Sequence, residues 1–344
     1  MRIAIDVMGG DNAPDAILDG ALGALDLLQG DDQLVLVGDP KVIEETIVER
    51  GLRDDRRLVV DPTHEVIDMD ETPIDALRGK PGSSIGRLGW LGSPRAGEHK
   101  CDIIISAGNT GAMVASAQMA MRRLANVHRP GIAVTMPTFY GPMIVCDVGA
   151  NISPKPHHLH QYGHMASIFA REVHGIDNPR VALLSVGGEE GKGTGLVRQS
   201  GKLMKADPNL NYVGHAEGRD LFNGVAEVII TEGFTGNVVL KLAEGLAAGL
   251  FRTIAHEIFE EDPDLAMKFE PVVKKIYAKH DWHEFGGAPL MGVRGNCVIC
   301  HGSSESRTIR SAIRNALSYI RHDVNEKIVH TLGQAEQVAG EVDA

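Results

Sequence analysis

Short apolar runs alternate with helical patterns along the whole chain. Ile3 to Val7 leads into Gly9-Gly10-Asp11-Asn12, then Pro14 and a helix with Ile17, Ala21, Leu25 and Leu28 at helical spacing. Leu34 to Val37 leads into Gly38-Asp39-Pro40. Ile103 to Ile105 leads into Ser106-Ala107-Gly108-Asn109-Thr110-Gly111 and a Met- and Ala-rich helix. Met143 to Val148 leads into Gly149-Ala150-Asn151, Pro154 and a helix to about His174. Val181 to Val186 leads into "GGEEGKGTG" and a helix carrying Leu203 and Met204. Val228 to Ile230 leads into Thr231-Glu232-Gly233-Phe234-Thr235-Gly236-Asn237 and a long helix. Cys297 to Cys300 leads into His301-Gly302-Ser303-Ser304 and a helix with Ile309, Ile313 and Leu317.

Near-continuous apolar strands that alternate with helices predict an α/β fold, a mostly parallel sheet covered on both faces. No linker or low-complexity stretch interrupts the chain, which predicts one α/β/α domain over 1–344, with room for intertwined subdomains. In such sheets ligands bind outside the carboxyl ends of the strands. The polar turns fall at those ends, each before a helix N-terminus with unpaired N–H groups, so together they predict an anion site. Capping alone would explain any one turn, with Ser303 or Ser304 as the cap of the last helix. Asn109, Asn151 and Asn237 are more polar equipment than capping needs.

Composition narrows the partners. The 344 residues are 43 % hydrophobic with a net charge of −12, which argues against nucleic acid as a partner. The opening "MRIAIDVMGGDNAP" lacks the apolar run of a signal peptide. With four cysteines and no span of uncharged apolar residues long enough for a membrane, this predicts a cytoplasmic protein with free thiols. Cys297-x-x-Cys300-His301 matches a haem-attachment spacing, but its apolar setting reads as a buried strand. "GGEEGKGTG" misses the P-loop spacing, and Glu189 and Glu190 oppose phosphate, which leaves Lys192 as a substrate contact or a solvated loop lysine.

Other features are surface candidates. His157, His158, His160 and His164 include an i, i+4 pair, which reads as a partly exposed helix face rather than a metal site. Arg307, Arg310 and Arg314 share one helix face, and Arg122, Arg123 and Arg129 form a second cluster. Leu242, Leu246, Leu250, Ile254 and Ile258 recur every four residues, and Leu265, Phe269, Val272, Val273 and Ile276 follow. This helical pair over 237–280 suits a dimer interface; the acidic "FEEDPDL" near its tip opposes anionic lipid.

"DVMGGDNAP", "SAGNTGA", "DVGAN", "GFTGNVVLK", "GGAPLMGV" and "HGSS", in this order, resemble the bacterial phosphate acyltransferases of phospholipid synthesis, the PlsX family. The resemblance runs from Arg2 to about Asn325. It implies a three-layer α/β/α homodimer like the isocitrate/isopropylmalate dehydrogenases and phosphotransacetylases. It implies that inorganic phosphate attacks the thioester of an acyl-acyl-carrier-protein, giving acyl phosphate for a membrane glycerol-3-phosphate acyltransferase. It implies no metal or cofactor, and contact at the inner face of the membrane. The chain departs from the family pattern at Val7, at Glu232 (Asp in the family) and at Cys297 and Cys300. It departs also over 87–100, where Gly89, Gly92, Pro94 and Gly97 are expected to break a helix.

Phosphate is itself a nucleophile and a thiolate leaves readily, so such an enzyme must chiefly bind, align and stabilise an oxyanion. The catalytic candidates are Asp6, Asp11, Asn109, Asp147, Asn151, Asn237 and His301. One of the three aspartates is expected to position a lysine or act as base, with a capping role as the alternative. The substrate-binding candidates are Gly9, Gly10, Asn12, Ser106, Gly108, Thr110, Gly111, Lys192, Thr235, Gly236, Lys241, Gly302, Ser303 and Ser304. An acidic carrier protein would dock on Arg307, Arg310 and Arg314. The rival readings are a phosphotransacetylase-like enzyme using acyl-CoA and a non-catalytic carrier-binding protein.

Overall fold

The computed structural model describes residues 1–261, 263–279 and 285–342. The chain forms two compact units. Unit 1 holds 1–134, 164–177 and 283–344; unit 2 holds 135–163 and 178–282. The division falls inside one strand and inside one helix.

In unit 1 the chain runs through β1 (Arg2–Asp6), α1 (Asp15–Leu22), β2 (Gln33–Gly38), α2 (Pro40–Glu49) and β3 (Leu58–Pro62). Next come α3 (Pro73–Gly79), α4 (Ser84–Leu91), β4 (Ile103–Ser106), α5 (Thr110–Ala120) and the start of β5 (Gly131–Thr138). After β6 (Gly141–Cys146) in unit 2, α6 (Pro156–His174) carries the chain back. Unit 2 continues with β7 (Val181–Leu184), α7 (Gly195–Ala206), β8 (Tyr212–Ala216), β9 (Val228–Ile230), α8 (Gly233–Glu261) and α9 (Pro263–Lys279). Unit 1 ends with β10 (Ala288–Met291), β11 (Asn296–Ile299), α10 (Ser306–Arg321) and α11 (Val324–Val342).

The strand order is β3-β2-β1-β4-β11-β10-β5 in unit 1 and β6-β9-β7-β8 in unit 2. The pairs β1·β2, β2·β3, β1·β4 and β11·β4 are parallel, as are β6·β9, β7·β9 and β7·β8. The pairs β10·β11 and β10·β5 are antiparallel. The α/β class and the mostly parallel sheet expected from the apolar runs therefore hold.

Strand alternation divides the core of unit 1. Ile3, Ile5, Ile103, Ile105 and Val298 pack with Ile17 and Leu18 of α1 and Ile309 and Ile313 of α10. On the opposite face, Ile104 lies beside Gly92 at the end of α4. Helix starts follow local chemistry: Asp39 accepts from Lys41 N with Pro40 in the first turn, and Ser83 accepts from Gly86 N.

Three element-level expectations need correction. The first helix ends at Leu22, and Leu25–Leu27 form a separate 3-10 turn. Gly89 does not break α4, because the helix packs there against Ser116 of α5, where a side chain on residue 89 would press into the Ser116 hydroxyl. Irregularity begins only after Gly92, where Pro94–His99 turn with Gly97 at φ 56°. The histidine group is a partly exposed face only at His157 and His160: His158 and His164 are buried, and His160 Nε2 meets Asp207 Oδ2 at 2.7 Å.

No helix among the described residues is long and apolar enough to cross a membrane. The expected pair over 237–280 is α8 with α9; residue 280 lies outside the described residues. Leu242, Leu246, Leu250 and Ile254 of α8 are exposed, as are Leu265, Phe269, Val272 and Ile276 of α9.

Candidate functional site

Apart from the plainer Gly38-Asp39-Pro40 turn after β2, the polar turns of the sequence fall three in each unit, at the carboxyl ends of parallel strands. In unit 1 they follow the neighbours β1, β4 and β11. In unit 2 they follow the neighbours β6, β9 and β7.

Asp6 closes β1 and is fully buried. Ser106 Oγ donates to Asp6 Oδ2 (2.7 Å), while Met8 N donates to Oδ1 (3.1 Å). The same Ser106 oxygen accepts from Gly108 N at 3.0 Å. Burial pushes the Asp6 carboxyl up, and the hydroxyls of Ser106 and Ser84 and nearby N–H groups pull it back. Gly9 is fixed by this arrangement, since a side chain there would press into Asp6 Oδ2 and meet Gly108 N at 2.8 Å.

The turns after β1 and β11 are stitched together. Asp11 N donates to Gly302 O (2.7 Å), and Asn12 Nδ2 donates to Ser303 O (3.1 Å). A Cβ on Gly10 would meet Gly302 O at 2.9 Å. His301 is exposed, with Nδ1 2.7 Å from Ser303 Oγ. Neither Ser303 nor Ser304 caps α10: the cap position is Glu305, without a side-chain bond. Ser304 is 2 % exposed, and its hydroxyl has no hydrogen-bond partner among the described residues.

Asn109, a candidate to offer its amide to substrate, has that amide engaged. Its Oδ1 accepts from Ala112 N as the cap of α5, and Nδ2 donates to the carbonyls of Asp68, Met69 and Glu71 at 3.0–3.2 Å. Asn109 thus clamps the 68–71 loop onto the helix start. Thr110 and Gly111 are exposed in the first turn of α5, above the buried Ser106 and Gly108.

In unit 2 the buried Asp147 is a loop anchor. Its carboxylate accepts from the N–H groups of Gly149 (3.3 Å), Ala150 (3.1 Å) and Asn151 (2.7 Å). The Asn151 amide turns to Tyr162 Oη (2.8 Å) and Asp147 Oδ2 (3.4 Å). The carboxylates of Asp6 and Asp147 thus each hold a turn. α8 begins directly against this loop: Gly233 N donates to Asn151 O (2.7 Å), and a side chain on Gly236 would overlap Asp147 O.

Glu232 caps α8 with both oxygens, accepting from Phe234 N (2.7 Å), Thr235 N (2.9 Å) and the Thr235 hydroxyl. The longer reach of Glu therefore serves the helix start, and the Thr235 donors are occupied by the chain's own carboxylate. Asn237 and Lys241 follow along α8, with no side-chain hydrogen bond or ion pair among the described residues. Lys192 is an exposed loop residue whose N–H donates to Glu189 O.

Of the three arginines expected to meet a carrier, Arg310 is paired with Asp26 through two bonds of 2.7 and 2.8 Å. Arg307 and Arg314 have exposed side chains on α10, and Arg314 also reaches Ser311 Oγ at 3.5 Å. Cys297 and Cys300 are buried strand residues, as read from the sequence. Cys300 lies with Val298 in the α1–α10 core while Cys297, an odd number of residues away, points to the opposite face. Burial raises both thiols, Cys300 to about 12.

The sequence reading missed Tyr162, which holds Asn151, and Ser84, which faces Asp6. Tyr162 is fully buried within a helix rich in histidines, and no local spacing marks it.

The profile of a family described as "Fatty acid synthesis protein" matches residues 1–327. The chain is 40 % identical over 345 residues to the phosphate acyltransferase of Heliobacterium modesticaldum, covering 100 % of this chain and 99 % of that protein. It is 39 % identical over 338 residues to the phosphate acyltransferase of Nitratidesulfovibrio vulgaris strain DP4, covering 98 % and 96 %. Among solved structures, a phosphotransacetylase from Streptococcus pyogenes superposes with TM-score 0.58 at 15 % identity over 93 % of this chain and 94 % of that one. A branched-chain phosphotransacylase from Enterococcus faecalis V583 gives 0.57 at 12 % identity over 94 % and 100 %; both show a shared fold. On its sequence, the chain belongs to the fatty acid synthesis protein family, alongside the phosphate acyltransferases.

Proposed function

We propose that this protein transfers a fatty acyl group from an acyl-acyl-carrier-protein to inorganic phosphate. A phosphate oxygen attacks the thioester carbonyl carbon, the carbon–sulfur bond breaks, and the carrier thiolate leaves and takes up a proton. The products are acyl phosphate and free carrier, and acyl phosphate serves a downstream glycerol-3-phosphate acyltransferase. The protein need only bind, align and stabilise charge, and no covalent nucleophile is required.

The observation that carries the reading is the Ser304 hydroxyl. It is buried and unpaired at the start of α10, beside the Gly10-Asp11-Asn12 turn. A buried hydroxyl without a partner is costly, and an anion at the helix N-terminus would satisfy it. The names of the relatives support phosphate as the acyl acceptor. In unit 2, Asn237 and Lys241 are the open donors we assign to substrate. Arg307 and Arg314 are assigned to the carrier, with Arg310 held by Asp26. We assign self-association to the exposed stripe of α8 and α9.

The test is a phosphate-dependent assay with acyl-carrier and acyl-CoA side by side, trapping acyl phosphate as the hydroxamate. Product from acyl-carrier, strictly dependent on phosphate, is the expected result. Product from acyl-CoA alone would instead identify a phosphotransacetylase-like enzyme, and no product from either would indicate a carrier-binding role.

A further inference from the structure

A cavity of about 490 Å³ opens in unit 2 between α7 and β8, within the size range of small-molecule sites. None of the residues expected from the sequence to carry the reaction lines it. Arg198, Lys202 and Lys205 line it from α7 at i, i+4 and i+7, which places three cations on one helix face. Tyr212 and His215 line it from β8. One carboxylate, Glu190, opposes them and pairs with Lys205.

The floor is built by an absence. Gly201 is buried at mid-helix, and a Cβ there would meet Tyr212 Oη at 3.1 Å and His215 Nε2 at 3.3 Å. Two polar ring tips therefore converge where the helix carries no side chain. Burial and Glu190 push the Tyr212 phenol up to about 12, so it stays a donor. Arg198 leans on Gly193 O at 2.6 Å, which fixes the guanidinium at the mouth, while Lys202 has no ion-pair partner among the described residues.

The position also suits a ligand. β8 stands at the end of the unit 2 strand order, and the loop carrying Glu190 leaves the carboxyl end of β7, the side on which parallel sheets bind ligands. In a chain of net charge −12, a cavity with three cations against one carboxylate is an exception to the overall field. The space exceeds a lone phosphate ion, and the Tyr212 ring and the methylene stems of α7 offer apolar surface for what the phosphate is attached to.

We propose that the α7–β8 cavity binds a phosphate ester carried on an organic group, with Arg198 and Lys202 holding the phosphate and Tyr212 and His215 the adjoining part. Two sources share this chemistry: the pantetheine phosphate of a carrier arm, and the ribose phosphates of a nucleotide such as that in coenzyme A. The proposal goes beyond the acyl-transfer reading and is tested by binding alone, without turnover.

The test is calorimetric titration of the full chain with 4′-phosphopantetheine, coenzyme A, adenosine 3′,5′-bisphosphate and inorganic phosphate. The same titrations are run on Arg198→Glu and Lys202→Glu, both exposed positions whose folding is checked by circular dichroism. At least one ester is expected to bind below about 1 mM and to weaken by about tenfold or more in each variant. Inorganic phosphate is expected to be indifferent to both changes. Binding of phosphopantetheine and coenzyme A without the bisphosphate supports the arm as source; binding of the bisphosphate and coenzyme A supports the nucleotide. Esters that bind native protein and both variants equally, or that fail to bind native protein, overturn the proposal.

Discussion

Ser106 both donates to Asp6 and accepts from Gly108 N, so one hydroxyl ties the end of β1 to the turn after β4. Gly9→Ala would push against that tie. It is expected to destabilise unit 1 by about 1–3 kcal/mol, the usual range for forcing atoms into a packed site, read as a lower urea midpoint. His174 makes a second prediction. Burial between residues that include Phe169 lowers its imidazole from 6.5 to about 4, so the unfolded chain binds the proton more readily. Its contribution is complete above pH 6.5 and is lost as pH falls toward 4, by about 3 kcal/mol in total. His174→Gln should flatten the unfolding free energy over that window; an unchanged slope would count against burial as the cause. At this scale the sequence marked the right turns but not their wiring. Asn109 reaches carbonyls about forty residues away, and nothing in "SAGNTGA" announces the 68–71 loop.

The start of α8 shows how an element is set by what it touches. Glu232 caps it from within, and Gly236 lets it lie on the Asp147 carbonyl. Gly236→Ala must move backbone against backbone and is expected to cost about 2 kcal/mol or more. Glu232→Gln keeps the shape but removes the charge at the helix N-terminus. A loss of about 1 kcal/mol in thermal or urea unfolding is expected, and no loss would show that the cap contributes nothing. Strands and most helix starts were legible because period and capping are local signals. The continuity of α4 was not, since Gly89 reads as a breaker until Ser116 of α5 is seen against it. The histidines of α6 misled in the same way: their burial depends on contacts beyond the helix.

For the whole molecule, the exposed leucines of α8 form an apolar stripe that the fold of the described residues leaves uncovered. Leu242 and Leu246 are each 67 % exposed, and α9 continues the stripe. If two copies share this surface, Leu246→Glu should shift native protein toward monomer in sedimentation velocity; a native protein already monomeric at micromolar concentration would contradict the assignment. The α/β class was legible across the chain because each apolar run is followed by its turn and helix. The α7–β8 cavity was not, because it rests on a glycine aligned with two rings from another strand.

The central claim is that the buried hydroxyl at the start of α10 helps hold the phosphate that attacks the acyl thioester. The direct measurement is the Michaelis constant for phosphate in acyl-carrier turnover, native protein against Ser304→Ala. The account predicts a rise of about tenfold or more for phosphate, with the constant for acyl-carrier nearly unchanged. An unaltered phosphate constant in a folded, active Ser304→Ala protein would contradict it.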